Sequence, residues 1–177
     1  SEITRIDVVE INGYYSLNVS GLGFDAEVAH FFNKMKMRGI FSYIYSIVRM
    51  WFRYPSKRYR FKIGDKVWEE DCFILSIANS SQYGNNARIA PKASLRDGLF
   101  DICILKRPKY YQIPRFIYCF MNSRISKLSY FSEIQCAEAE IEGDISKAHI
   151  DGDPYVLNVP VKVRIHPGVL NVVVPKL

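Results

Sequence analysis

Apolar and polar residues alternate along much of this 177-residue chain, and alternation of period two marks a strand with one buried face. The pattern is cleanest where Val161, Val163 and Ile165 interleave with Lys162 and Arg164. RIDVVEI and YYSLNVS flank Asn12-Gly13, and KRYRFKI and KVWEE flank Gly64-Asp65. Both dipeptides suit tight turns with positive φ, so each pair predicts a hairpin. DCFILSIAN, LFDICIL, EIQCAEAEIEG, VPVKVRI and VLNVVVP extend the series, and His166-Pro167-Gly168 is expected to turn the chain into its last strand.

Three segments switch to helical spacing. FDAEVAHFFNKM starts a helix with Asp25 expected as its N-cap. GIFSYIYSIVRMWFRYP carries apolar residues at 40, 41, 44, 47, 48, 51 and 52, a stripe expected to pack on the sheets until Pro55 ends it. YYQIPRFIYCFMN repeats the spacing at Ile113, Phe116, Ile117, Phe120 and Met121, with Pro114 tolerated only in a first turn. Strands dominate, and no strand–helix alternation builds a parallel nucleotide-binding sheet. The predicted fold class is mainly β: an antiparallel β-sandwich with two or three accessory helices, in one domain over residues 1–177.

Composition removes several function classes. Half the residues are hydrophobic and 24% charged, a globular balance. No apolar run approaches the roughly 20 residues of a membrane span, and SEITRIDVVEING does not read as a signal peptide. Cys72, Cys103, Cys119 and Cys136 form no CxxC and are expected as reduced thiols, most of them buried. His30, His149 and His166 lack metal spacing and are expected at the surface or in turns. There is no P-loop, and SGLGFDAEV fails as GxGxxG because Ala26 holds the third position; Gly21 and Gly23 are expected to permit a tight strand-to-helix turn.

Charge adds one feature. From Phe31 to Gly64 there are nine Lys or Arg and no Asp or Glu, leaving 15 basic against 18 acidic residues elsewhere. Such a block suits a polyanionic partner (membrane surface, phosphate-bearing ligand or nucleic acid) or forms a solvated face. Tyr43, Tyr45, Arg49, Met50 and Arg53 share the far side of the second helix. That mixture fits a lipid headgroup boundary, and it equally fits partial burial with solvated arginines.

Two Asp-Gly pairs remain, in SLRDGLFDICIL and KAHIDGDPYVLNV. Together with NVSGLGFDAEVA and SIANSSQYGNNARIAPKASLRDGLFDICIL they resemble the second domain of the diacylglycerol kinase and sphingosine kinase family of lipid kinases. The resemblance implies a β-sandwich that forms one wall of an interdomain cleft, with ATP bound mainly by a preceding domain that carries a GGDGT motif. No GGDGT occurs here, so the chain is expected to be a substrate-side domain that works with its own N-terminal kinase domain and is inactive alone.

The resemblance also implies site residues. Magnesium would be held by Asp97 and the backbone carbonyls of Ser94 and Leu99. Asp153 matches the proton acceptor, although Asp stands where the family usually has Glu. Asp151 would support it, by positioning a magnesium-bound water or by capping the turn. The expected partners are a lipid substrate and, peripherally, an anionic membrane facing the cytoplasm, with a homodimer possible and no nucleic acid. Two alternatives stand beside this reading: a non-catalytic lipid- or protein-binding β-sandwich, and an NAD kinase-like domain.

Overall fold

Strands that bury one face and strands that bury both divide the molecule into layers. The computed structural model describes residues 1–35, 40–84 and 87–175. One six-stranded sheet has the order β2 (Tyr14–Ser16), β1 (Glu2–Ile11), β14 (Val161–Val174), β11 (Glu138–Gly143), β4 (Lys57–Ile63), β5 (Lys66–Cys72). The second has the order β10 (Phe131–Cys136), β9 (Phe100–Leu105), β6 (Ile74–Ala78), β3 (Val19–Gly21), β12 (Ala148–Ile150), β13 (Asp153–Tyr155). All of these pairings are antiparallel. A separate ribbon joins β7 (Gln82–Gly84) to β8 (Ala87–Arg88). Helices α1 (Phe24–Asn33), α2 (Ile40–Arg53) and α3 (Ile113–Met121) complete a β-sandwich with few helices.

Val9, Phe61, Ile141 and Val163 of the first sheet meet Leu75, Ile77, Ile102 and Ile104 of the second in the main core. A second core lies on the other side of the second sheet, where Phe73, Ile74, Cys103 and Leu105 meet Phe24, Val28 and Phe116 of the helices. The second sheet is therefore buried on both faces, which is why LFDICIL reads as a nearly unbroken apolar run. Each such side chain stabilises the fold by about 1.5–3 kcal/mol relative to exposure.

The expected strands differ from the observed ones in a consistent way. YYSLNVS divides into β2 and β3 at Leu17-Asn18, the run through DCFILSIAN divides into β5 and β6 at Phe73, and EIQCAEAEIEG divides into β10 and β11 at Ala137. At each break the chain leaves one sheet for the other. Alternation cannot reveal these crossings, because side chains facing the shared core stay apolar on both sides of the break. Conversely, His166-Pro167-Gly168 is not a turn between strands. β14 runs straight through it as a bulge: Ile6 pairs with Leu170 and Val8 with His166, so three residues oppose Asp7. Gly168 takes φ +60° there.

The helices are rotated from their expected faces. In α2, Met50 and Trp51 pack inward while Val48 and Phe52 are exposed. Ser42 and Ser46 take buried positions, and the Ser46 hydroxyl donates to Ser42 O at 2.8 Å. The side chains of Ile40, Phe41, Tyr43 and Ile44 lie outside the described ones. In α3, Phe116 and Cys119 are buried while Ile117 and Met121 are exposed. Pro114 falls in its first turn, as its chemistry requires. All four cysteines are buried and free, and burial pushes the Cys72 and Cys103 thiols up, away from reactivity.

Candidate functional site

The second Asp-Gly pair closes a two-residue hairpin, with Ile150 paired to Asp153. Asp151 takes φ +50° and Gly152 φ +99°, the conformation that Asp-Gly favours in a tight hairpin. The Asp151 carboxylate is fully engaged: Oδ1 accepts from the Ser16 hydroxyl at 2.7 Å and Asn18 N at 3.0 Å, and Oδ2 accepts from Leu17 N at 2.8 Å. Those amides belong to the crossing between β2 and β3, where the chain has left one ladder and not yet joined the next. Asp151 therefore holds the turn against the crossing. Asp153 is exposed, and its carboxylate has no hydrogen-bond or ion-pair partner among the described residues.

The first Asp-Gly pair is held differently. Gly98 takes φ +71°, and the exposed Asp97 closes its own loop by accepting from Leu99 N at 3.1 Å. The Ser94 hydroxyl accepts from Arg96 N at 3.3 Å. The clamp comes from below: Asp7, only 2% exposed, accepts from Gly98 N through Oδ2 and from Gly168 N through Oδ1, both at 2.8 Å. Its own amide donates to Leu95 O at 2.7 Å. The bulge in β14 is what sets the Gly168 amide on the Asp7 carboxylate.

One buried side chain joins the two turns. Asn79 Nδ2 donates to Asp7 O at 2.9 Å and to Leu17 O at 3.2 Å. A hydrogen-bonded path thus runs from Gly98 through Asp7, Asn79 and Leu17 to Asp151. Beside it lies a cavity of about 670 Å³ lined by Asn18, Ser80, Gln82, Ser94, Leu95 and Arg96, among others. Ser94 therefore faces the cavity, whereas Asp97, Leu99 and Asp153 do not line it. Close to Asp97, the buried Asp101 has an Oδ1 with no partner among the described residues. Burial, with the nearby Glu133 and Asp97 charges, pushes its carboxyl up to about 6.

Sequence reasoning missed a second buried centre and misassigned two of its members. The N-cap of α1 is Gly23, not Asp25. A Cβ on Gly23 would lie 2.8 Å from Leu75 N, so the helix begins against β6 and Asp25 falls within its first turn. There Asp25 Oδ1 accepts from Gly23 N and Ala26 N, and Oδ2 accepts from Tyr83 Oη at 2.7 Å and Ser76 Oγ at 3.0 Å. His149 is buried rather than at the surface. Its Nδ1 accepts from Gly152 N at 3.3 Å, which leaves the proton on Nε2, 3.4 Å from Asp25 Oδ2. Burial alone would raise the Asp25 carboxyl, but bonds from His149, Tyr83 and Ser76 outweigh it and hold the group below its usual value. Gly21 is required because any Cβ would lie 2.1 Å from Asp25 Oδ2 and 2.4 Å from His149 Nε2. The SGLG spacing and the histidine in HIDGD were the available signals, and only their pairing was hidden.

The donor set near Asp97 sets limits on a metal. No three carboxylates, thiols or imidazoles converge among the described residues. A cation there would draw on one carboxylate, backbone oxygens and water, a set that fits magnesium and not a thiophilic metal.

Comparison with known proteins gives a consistent result. A profile of the YegS C-terminal NAD kinase beta sandwich-like domain matches residues 18–174. The chain is 35% identical over 101 residues to a protein of Alcanivorax borkumensis named "Probable lipid kinase YegS-like", covering 56% of this chain and 34% of that protein. It is 27% identical over 104 residues to a Bacillus subtilis protein named "Diacylglycerol kinase", covering 58% of this chain and 34% of that one. The crystal structure of a diacylglycerol kinase from Bacillus anthracis superposes with a TM-score of 0.63 at 15% identity, over 96% of this chain and 53% of that one. At that identity the likeness shows the fold alone. The matched regions span about a third of the length of these two curated relatives.

Proposed function

This chain belongs to the YegS C-terminal NAD kinase beta sandwich-like domain family, and we propose on that footing that it is the substrate side of an ATP-dependent lipid kinase. The acceptor is a hydroxyl of a diacylglycerol-like lipid. One observation carries the reading: Asp153 is an exposed, unencumbered carboxylate on a turn that another aspartate, Asp151, pins in place. The names of the relatives supply the reaction class.

In this mechanism Asp153 accepts the proton of the lipid hydroxyl as that oxygen bonds to the γ-phosphorus and the bond to the ADP oxygen breaks. ATP is held mainly outside residues 1–177. Asp97, with the Ser94 and Leu99 carbonyls, would hold magnesium, which when bound neutralises phosphate charge. Asp151 supports the reaction by fixing the turn, and the Asp25–His149 pair supports it through the Gly152 amide.

The test is labelled-phosphate transfer by the full-length protein across a panel of hydroxyl-bearing lipids, followed by single turnover at saturating ATP and magnesium. Asp153→Asn is expected to keep its melting temperature and ATP affinity and to lose about 10²- to 10⁴-fold in rate, with Asp153→Glu milder. A full rate in Asp153→Asn beside an inactive Asp151→Asn would move the proton acceptor to Asp151. Transfer to no lipid would leave a non-catalytic binding sandwich.

A further inference from the structure

A buried histidine lies beneath the turn that carries Asp153. Each ring nitrogen of His149 has its own partner: Nδ1 accepts from Gly152 N, and Nε2 donates to Asp25 Oδ2. Three sides of the ring are fixed. On the first, Asp25 is anchored at Oδ1 by Gly23 N and Ala26 N, and at Oδ2 by Tyr83 Oη and Ser76 Oγ. Burial opposes its charge, yet the His149, Tyr83 and Ser76 bonds hold the Asp25 carboxyl below its usual value, so it stays ionised. On the second, Gly21 of β3 approaches so closely that a Cβ would fall 2.4 Å from Nε2. On the third, the Tyr83 ring stands with its centroid 6.0 Å away, its phenol kept protonated by burial. The fourth side is soft. Asp151, Gly152 and Asp153 are all exposed, and nothing lies within 4 Å of where a Gly152 Cβ would be.

Neutral and protonated imidazole do opposite things in this setting. With one proton, on Nε2, the ring accepts from Gly152 N and donates to Asp25. With two, Nδ1 also carries a hydrogen and meets the Gly152 N–H donor to donor. The ring cannot turn away, because Gly21 and Tyr83 enclose it, and the Asp25 charge attracts the imidazolium. The turn is what yields. It keeps the Asp151 bonds to Leu17 and Asn18 and loses its second hold, next to Asp153. Other titratable groups around β12 do not respond in this way. His30, on α1, faces the carbonyls of Ala148 and Tyr155 at 3.0 Å, which accept from either of its protonation states. Glu27 and Lys147 pair with each other at 2.8 Å.

We propose that His149 positions Asp153 only while its imidazole is neutral, so that one buried proton turns the phosphoryl-transfer site down. His149 touches neither phosphate nor lipid and acts through the Gly152 amide. The proposal rests on the reading of Asp153 as proton acceptor, and adds to it a regulation by acid that Asp153 alone does not supply. Loss of the base requires a carboxylate to protonate. Loss of the latch requires an imidazole to protonate, and imidazoles as a class do so at higher pH. The rate therefore responds to acid before the base itself is lost.

The experiment takes two readouts on the full-length protein. The first is hydrogen exchange at the Gly152 amide, followed by NMR against pH and corrected for the intrinsic rate. On acidification its protection should fall roughly three- to tenfold, the loss of one hydrogen bond, while Leu17 and Asn18 keep theirs. The second is single-turnover phosphate transfer against pH at saturating ATP and magnesium. The parent should lose rate along an acid limb set by His149 and Asp153 together. His149→Gln leaves no acceptor under Gly152, and its rate should be roughly three- to tenfold lower at high pH, with ATP affinity and lipid KM unaltered. His149→Asn returns an acceptor to the place of Nδ1, and should recover most of that loss with its acid limb displaced to lower pH. Gly152 protection that is flat with pH overturns the proposal. So does an acid limb in His149→Asn identical to the parent's, or one that moves in His30→Gln instead. Should His149→Gln lose stability, the parent and His149→Asn decide the matter alone. A full rate in Asp153→Asn, with Gly152 protection still tracking pH, would support the latch and sink the reading of Asp153, so the two failures are distinct.

Discussion

The two Asp-Gly turns look alike in sequence and are built in opposite ways. At the second turn the aspartate of the pair, Asp151, is the clamp, its carboxylate taken up by the Leu17 and Asn18 amides, and the carboxylate left without such bonds is that of Asp153, two residues on. At the first turn the aspartate of the pair, Asp97, is the exposed group, and the clamp is Asp7, from a different strand. In both cases one aspartate satisfies backbone amides from elsewhere in the chain and so fixes the backbone that carries another, solvent-facing aspartate. Sequence proximity does not distinguish the two roles. The donors each carboxylate meets do.

The largest effect on this contrast is expected from Asp7→Ala. It strips the acceptor from the Gly98 and Gly168 amides, which should cost roughly 2–4 kcal/mol. Calorimetry would read the loss, and hydrogen exchange should quicken at Gly98 and Gly168 while Gly152 keeps its protection. Equal loosening of both turns would mean that the Asn79 path makes them one unit. Asp151→Ala is expected to cost less, about 1–2 kcal/mol, because its amides lie at an exposed crossing where water can replace it. Its signature is faster exchange at Leu17 and Asn18, and unchanged exchange there would return Asp151 to a plain turn residue.

An effect of similar size, confined to one side of a pH range, concerns Asp101, close to the first turn. Its folded-state value, raised to about 6, lies above the unfolded carboxyl value, so the native state binds the extra proton. The associated stability is complete below about pH 4 and is lost as pH rises through about 6. Asp101→Asn, which mimics the protonated form, should therefore be more stable than the parent by roughly 1–2 kcal/mol at pH 8. The advantage should vanish near pH 4 in pH-resolved denaturation. An advantage that is flat with pH would show that Asp101 does not titrate in this range.

The first sheet was readable because solvent covers one of its faces, so Val161, Val163 and Ile165 alternate with charges. Both Asp-Gly turns were readable for a local reason: φ preference depends on two adjacent residues. What stayed hidden is what distance hides. Asp7 meets Gly98 and Gly168 across 91 and 161 positions, Asn79 meets Asp7 across 72, and His149 meets Asp25 across 124. No window along the chain contains both partners. The helix faces were misjudged because α2 turns two serines inward, leaving Val48 and Phe52 outside, and hydrophobicity alone cannot say which apolar residues are surplus to the core.

The position of β14 has a consequence for how the molecule comes to exist. The strand lies between β1 and β11, in the middle of the first sheet, yet residues 161–174 follow every other strand in the chain. Until β14 is made, β1 has the short β2 beside it and β11 has β4. Both present open edges until the closing strand leaves the ribosome. Pairings such as Glu2 with Val174 join residues very far apart in sequence, which slows folding and prolongs the exposure of unpaired strands. The Asp7 clamp depends on the same event, since Gly168 arrives with that strand. The first turn therefore gains its full support only when the last strand is in place.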